Sequence, residues 1–118
     1  MLEEASAPIG LWPAFQFVLF YPLLEEIVFR GFLQEKLQQK PLGRKNIFGF
    51  TNANAATSII FVLVHLLVHY QAFYLLVFFP SLLFGWFRDR FGSWVPAAVL
   101  HVFYNFGFYI VVVYGLSP

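Results

Sequence analysis

The chain contains no cysteine and carries few charges for its length of 118 residues. The absence of cysteine excludes disulfides, thiol nucleophiles and cysteine-ligated metals. Charged residues make up only 11% of the sequence, against about 25% in a typical soluble domain, and 60% of the residues are hydrophobic. The formal net charge is +1 and no long basic run occurs, so nucleic acid is not an expected partner. This composition predicts an integral membrane protein.

Four apolar stretches follow one another along the chain, each near the roughly 20 residues needed to cross a bilayer. We expect these stretches to form transmembrane helices at about Ile9 to Leu37, Ala55 to Tyr70, Ala72 to Phe87 and Trp94 to Gly115. A polar connector at 38–54 and a polar turn at 88–93 separate some of them. The sequence therefore predicts an all-α bundle of about four transmembrane helices. We expect a single membrane-embedded domain over residues 1–118, with its core at about 9–115.

The basic residues are concentrated on one side of the predicted bundle. Six of the seven lie in or beside the connector and the polar turn: Lys36, Lys40, Arg44, Lys45, Arg88 and Arg90. Because consecutive spans run in opposite directions, these two segments share one face. The positive-inside rule predicts that this face is cytoplasmic, and we expect the membrane to be the plasma membrane of a prokaryote.

Few ionisable or amide side chains lie within the apolar spans, and most are paired at a spacing of four residues. The pairs are Glu26 with Arg30, His65 with His69 and His101 with Asn105, and Glu25 stands beside the first pair. Residues four positions apart share one face of a helix. A charge at such depth costs roughly 3 kcal/mol or more, so these groups are expected to face the bundle interior and to pair or do chemistry.

Three of these side chains are predicted to lie at one depth in the membrane. Counted from the connector side of each span, Glu25 lies about ten to twelve residues in, His65 about ten and His101 about seven, at ~1.5 Å per residue. Three different helices therefore bring a carboxylate and two imidazoles to one zone. We expect this zone to lie in the cytoplasmic half of the membrane.

A carboxylate and two imidazoles suit hydrolysis by an activated water. A carboxylate removed from water binds a proton more tightly and is a stronger general base, and a histidine can share the water or shuttle the proton. A second histidine and an amide such as Asn105 can donate hydrogen bonds to a developing oxyanion. Glu25, His65 and His101 are also a ligand set that zinc hydrolases use with an open fourth position. At this point the residues leave zinc and a metal-free water as alternatives.

Structural roles are alternatives for several of these residues. Glu26 and Arg30 are in the better orientation for a helical ion pair and are predicted to support Glu25, which has no partner of its own. His65 or His101 alone could form an interhelical hydrogen bond. His69, one turn nearer the outer face, is expected to be structural or to contact water.

Once these residues are placed, the chain resembles the CPBP (Abi/CAAX-type, Rce1-like) intramembrane glutamic protease family. The family motifs are Glu-Glu-x-x-x-Arg, Phe-x-x-x-His and His-x-x-x-Asn/Asp. Here they read Glu25-Glu26-Ile27-Val28-Phe29-Arg30, Phe61-Val62-Leu63-Val64-His65 and His101-Val102-Phe103-Tyr104-Asn105. All three occur in order, and the resemblance covers about residues 18–110.

The resemblance implies an intramembrane endopeptidase that hydrolyses a peptide bond of a membrane-associated protein or peptide. It implies that Glu25 is the general base, assisted by His65, and that His101 and Asn105 form the oxyanion site. Supporting roles fall to the two remaining motif residues, Glu26 and Arg30. The resemblance favours a metal-free mechanism without a cofactor. If the enzyme were metal-dependent, zinc would be held by Glu25, His65 and His101.

The expected partners are the lipid bilayer and a membrane-associated protein or peptide substrate. Members of the family usually carry several more helices, so a second copy of the chain or a partner subunit is a candidate for shielding the site. The alternative function is that of a non-catalytic membrane protein, such as a bacteriocin self-immunity factor or a partner-binding subunit. A metal or proton pathway using the same residues is a third hypothesis.

Overall fold

Four long helices form the protein in the computed structural model, which describes residues 10–115. They are α1 (Leu11–Gln38), α3 (Asn52–His69), α4 (Ala72–Phe91) and α5 (Trp94–Gly115). A short helix, α2 (Pro41–Arg44), and a two-stranded hairpin, β1 (Asn46–Ile47) and β2 (Phe50–Thr51), connect α1 to α3. All four long helices have the length and composition to cross a membrane, which confirms the predicted all-α bundle. The predicted start of the first span at Ile9 lies outside the described residues.

Helix α1 contains two π-helical turns, at Gln16–Phe20 and Phe29–Leu33, and the acidic pair lies between them. The first π turn ends at Phe20, two residues before Pro22. Proline has no backbone N–H and cannot close a regular helical turn, so a change of helical geometry at this point has a physical cause.

Helix α3 begins three residues earlier than its apolar run predicts. Its N-cap is Thr51, whose hydroxyl accepts a hydrogen bond from the Asn54 backbone N–H at 3.0 Å. A hydroxyl in this position satisfies one of the amides that a helix leaves unpaired at its start. The helix ends at His69, its C-cap Tyr70 is left-handed (φ 55°), and a tight turn at 70–71 leads into α4.

The predicted polar turn at 88–93 is wrong in its first part, because α4 continues as a helix through Phe91. Gly92, with φ 69°, ends the helix in the left-handed conformation that glycine adopts without strain. Ser93 then caps α5, and its hydroxyl accepts a hydrogen bond from the Val95 N–H at 3.1 Å. The turn is therefore only two residues long.

The charged end of α4 stays helical because neighbouring elements bind it. The carboxylate of Asp89 accepts hydrogen bonds from Gln34 at 2.9 Å, from Thr51 at 2.8 Å and from Gln38. These donors lie on α1 and on the hairpin. Asp89 therefore holds the ends of α1, β2 and α4 together at the connector end of the bundle, by which we mean the end that carries α2 and the hairpin.

Helix α4 approaches α3 closely at Gly85. A Cβ atom at this position would overlap the side chain of Asn54, whose amide donates to the carbonyl of Leu82 at 2.9 Å. The absence of a side chain at Gly85 therefore allows α3 and α4 to pack closely. Large apolar side chains such as Leu67, Phe79 and Phe103 remain exposed on the outer faces of the helices, as expected where lipid surrounds them.

We expect Gly85→Ala to destabilise the fold by about 1–3 kcal/mol, the range for overpacking a filled interior. The added methyl group would displace Asn54 and break its hydrogen bond to Leu82. Unfolding in mixed micelles by titration with SDS measures the effect. Gly107→Ala is the matched control, since a Cβ there meets nothing within 4 Å. Equal stability of the two variants would contradict this prediction.

Candidate active site

The side chain of Glu25 lies between two histidine side chains from other helices. Its two carboxylate oxygens are 3.6 Å from Nε2 of His101 and 3.8 Å from Nε2 of His65. The three residues come from α1, α3 and α5, as their common predicted depth requires. The Glu25 side chain is 30% exposed, against 15% for His65 and 5% for His101. The carboxylate is thus the member of the group most open to water.

The imidazole of His65 is oriented by its own helix. Its Nδ1 lies 2.7 Å from the carbonyl oxygen of Phe61, one turn earlier on α3. A carbonyl oxygen can only accept, so Nδ1 carries the proton in this hydrogen bond. In the neutral ring, Nε2 is then the unprotonated nitrogen, and it faces Glu25. The Phe61 ring packs beside the imidazole, with centroids 4.3 Å apart.

The imidazole of His101 is oriented by Glu26. Its Nδ1 lies 2.8 Å from Oε2 of Glu26, and that carboxylate is fully buried. Nδ1 therefore donates to Glu26, and Nε2 points towards Glu25. Four-residue spacing predicted Arg30 as the partner of Glu26, but it gave no indication of this second contact. The Glu26 carboxylate, the His101 imidazole and the Glu25 carboxylate thus lie in a row across the site.

The predicted pair between Glu26 and Arg30 is confirmed at 3.2 Å, with both side chains fully buried. Arg30 also donates to the carbonyl oxygen of Ser81 at 2.5 Å and to the Ser81 hydroxyl. Its guanidinium lies between two aromatic rings, 5.1 Å from the centroid of Phe61 and 5.6 Å from that of Phe84. Ser81 is therefore a hydrogen-bond partner of Arg30.

Phe84 forms one wall of the site, and it belongs to none of the three sequence motifs. Its ring stacks on the imidazole of His101, with centroids 4.5 Å apart and an interplanar angle of 21°. Phe61 and Phe84 are each 2% exposed, so they separate His101 and Arg30 from the surroundings. Electrostatic interactions inside such an apolar wall are stronger than in water.

The structure directs the Asn105 amide towards α1 rather than towards the Glu25 carboxylate. Its Nδ2 donates to the backbone oxygen of Phe17 at 2.9 Å, within the first π turn. A side-chain amide has two N–H donors, so one remains after this hydrogen bond.

His69 lies outside the group formed by Glu25, His65 and His101. It stacks on Tyr74 at 4.4 Å, in keeping with the structural role considered for it.

The distances around Glu25 are too long for direct hydrogen bonds, which have donor–acceptor separations of about 2.7–3.2 Å. They suit a bridging water, which would contact the carboxylate and an imidazole nitrogen together. The donor types also suit zinc. Within residues 10–115, however, no three histidine, aspartate or glutamate side chains are arranged to hold a metal ion.

Comparison with known proteins identifies a family for this chain. A family model described as "Type II CAAX prenyl endopeptidase Rce1-like" matches residues 7–107, a range that includes Glu25, His65, His101 and Asn105. Neither the curated proteins nor the solved structures contain a significant match to the chain. Because the family match covers most of the chain and four of its helices can cross a membrane, the protein is an integral membrane member of the Rce1-like protease family.

Proposed function

We propose that the protein is an intramembrane endopeptidase that hydrolyses a peptide bond of a membrane-associated protein or peptide. A single observation carries the proposal: the Glu25 carboxylate lies 3.6 and 3.8 Å from the Nε2 atoms of two histidines on other helices. In the proposed reaction, a water between these groups is the nucleophile and no metal takes part.

In the first step, Glu25 accepts a proton from the water while Nε2 of His65 accepts the second hydrogen bond. The water oxygen forms a bond to the peptide carbonyl carbon, and negative charge develops on the carbonyl oxygen. The general-base contribution to such a step is about 10²–10⁴-fold in rate. The hydrogen bond from His65 to Phe61 supports this role because it keeps Nε2 free to accept.

The oxyanion would be stabilised by His101 in its protonated form, with Asn105 supplying the free N–H of its amide. Glu26 supports the imidazolium, since its buried carboxylate accepts from Nδ1 of His101 at 2.8 Å. A buried carboxylate behind a histidine both orients the ring and stabilises its positive charge. The Nε2–H of His101 would then donate to the oxyanion.

In the second step, the C–N bond breaks and the proton held by Glu25 passes to the departing amine. Glu25 returns to its carboxylate form, and the water has been added across the peptide bond.

The proposed orientation places the connector end on the cytoplasmic side. Its support is the six basic residues at that end of the chain.

We expect His65→Ala and His101→Ala each to reduce cleavage at least about 100-fold, the lower range for losing an acid–base group. Protein in liposomes would be incubated with a library of membrane-anchored peptides, and the products identified by mass spectrometry. His69→Ala is the matched control, because this histidine on α3 stacks on Tyr74 outside the Glu25 group. It should retain nearly full activity.

Two results would overturn the proposal. Normal cleavage by both site variants would show that the histidines take no part and would favour the non-catalytic alternative. Loss of activity with a chelator, restored by zinc alone, would reject the metal-free mechanism. Elemental analysis of the active protein shows whether it contains zinc, independently of the cleavage rate.

A further inference from the structure

A cavity of about 390 Å³ opens at the connector end of the bundle, away from the catalytic group. Its walls come from α1, α2, the hairpin and the last turns of α4. Three arginines and one tryptophan are among the lining residues: Arg44, Arg88, Arg90 and Trp86. The volume falls within the range of about 300–1,000 Å³ that is typical of small-molecule sites. Its composition indicates an anionic ligand.

The acidic residues near this cavity are already engaged. Asp89 accepts hydrogen bonds from three donors, and Glu35 pairs with Arg88. By contrast, Arg44 and Arg90 form no ion pair within residues 10–115. Arg44 donates only to the backbone oxygen of Gln38, at 2.8 Å. The cavity therefore has positive charge that the described part of the chain does not neutralise.

A buried donor also remains without a partner at this cavity. Arg88 is 9% exposed, and its Nε has no hydrogen-bond partner among the residues that the structure describes. A buried donor left unpaired costs free energy, which a ligand oxygen would offset. Guanidinium groups bind phosphate oxygens through two parallel hydrogen bonds, so arginine is the preferred residue for such a ligand.

The position of the cavity indicates which phosphate-bearing molecule would reach it. The cavity lies where α1 ends at Gln38 and α4 ends at Phe91. The ends of helices that cross a bilayer are expected at the level of the lipid headgroups. Trp86 lies one turn before Arg90 on α4, and tryptophan is enriched at this level of the membrane. Anionic lipids in the same plane attract basic residues. A phospholipid headgroup is thus the anion that the bilayer itself presents to the cavity.

We propose that this cavity binds the phosphate group of an anionic glycerophospholipid, held by Arg44, Arg88 and Arg90. The bound lipid would connect α2 and the hairpin to the end of α4. It would lie roughly 20 Å from Glu25, given 13 residues along α1 at ~1.5 Å each. The proposal is therefore independent of the catalytic assignment, and its test does not use activity.

The experiment would purify the protein in neutral detergent and add phosphatidylglycerol or phosphatidylcholine in increasing amounts. Native mass spectrometry counts the retained lipids, and SDS titration measures the stability of the fold. We expect phosphatidylglycerol to be retained preferentially and to raise the SDS midpoint. The double variant R44Q/R90Q should weaken this binding by at least about 100-fold, because each charge-assisted hydrogen bond to the phosphate that is lost costs roughly tenfold or more.

The matched control is K36Q/K40Q, which removes the same charge from the same end of the bundle but from residues that do not line the cavity. It should retain phosphatidylglycerol as the wild type does. Equal losses in the two double variants would overturn the proposal, since general surface charge would then explain binding. An equal shift with inorganic phosphate would reject a lipid as the ligand. Displacement of the lipid by a soluble peptide carboxylate would reassign the cavity to the substrate.

Discussion

Replacement of Glu25 by glutamine is expected to reduce peptide-bond cleavage by about 10²–10⁴-fold, the contribution of a positioned general base. Glutamine has nearly the same shape but cannot take a proton from water. The two Nε2 atoms at 3.6 and 3.8 Å would keep their positions, so substrate binding should change little. The initial rate of cleavage in liposomes measures the loss, and SDS titration checks that the variant is folded.

The matched control is Glu35→Gln, which removes a carboxylate from the connector end of α1. Glu35 pairs with Arg88, and its side chain is 53% exposed, so its loss should leave the rate unchanged. Glu25→Asp moves the carboxylate by one methylene and should give an intermediate rate, because a displacement of about 1 Å costs up to 10²-fold. A glutamine variant with more than about a tenth of the wild-type rate would contradict the role of Glu25 as base.

Replacement of Arg30 by methionine is expected to destabilise the fold by about 3–5 kcal/mol, the cost of breaking a buried ion pair. Methionine fills most of the space between the rings of Phe61 and Phe84. It leaves the Glu26 carboxylate without its cation and removes the donors to Ser81. Unfolding by SDS in mixed micelles measures the change in free energy.

A double variant separates the charge from the packing. When Glu26→Gln is added to Arg30→Met, no uncompensated carboxylate remains in the interior. The glutamine oxygen can still accept from Nδ1 of His101, so that hydrogen bond is kept. We expect the double variant to be more stable than Arg30→Met alone, because replacing both members of a buried pair is often nearly neutral. Additive losses would show that the two charges do not stabilise one another.

The four helices and the meeting of Glu25, His65 and His101 could be predicted from the sequence. Both follow from the length of the apolar runs and from the spacing of the polar residues within them. Apolar runs of membrane length define the spans. A spacing of four residues defines the helix faces, and counting residues from one membrane surface defines depth. These three quantities brought Glu25, His65 and His101 together correctly. Each of these quantities can be read from a short stretch of sequence without knowledge of the other helices.

The contacts that the sequence did not reveal are those between helices whose relative rotation is set by packing. Glu26 contacts His101, although the two are 75 positions apart, and no spacing rule connects them. Arg88 and Asp89 resembled a loop because they are charged, whereas they remain helical through bonds to α1 and the hairpin. The one signal available was the series of polar residues on α1 at intervals of four, which indicates a continuous buried face.

The π turn at Phe29–Leu33 keeps that series more closely aligned than a regular helix would. Four residues of regular α-helix rotate about 40° past a full turn, so residues four apart drift steadily around the axis. A π turn, closed by hydrogen bonds over five residues, rotates less per residue and corrects this drift. Glu26, Arg30 and Gln34 are accordingly all 0% exposed on one face.

The π turn therefore sets the rotation about the helix axis that relates the Glu25 group to the connector end. A change that returned this turn to α geometry would leave every residue of the series unaltered. It would still rotate Gln34 away from Asp89 while Glu26 remained against His101. The contacts at the two ends of α1 are thus linked through the geometry of the turn at Phe29–Leu33.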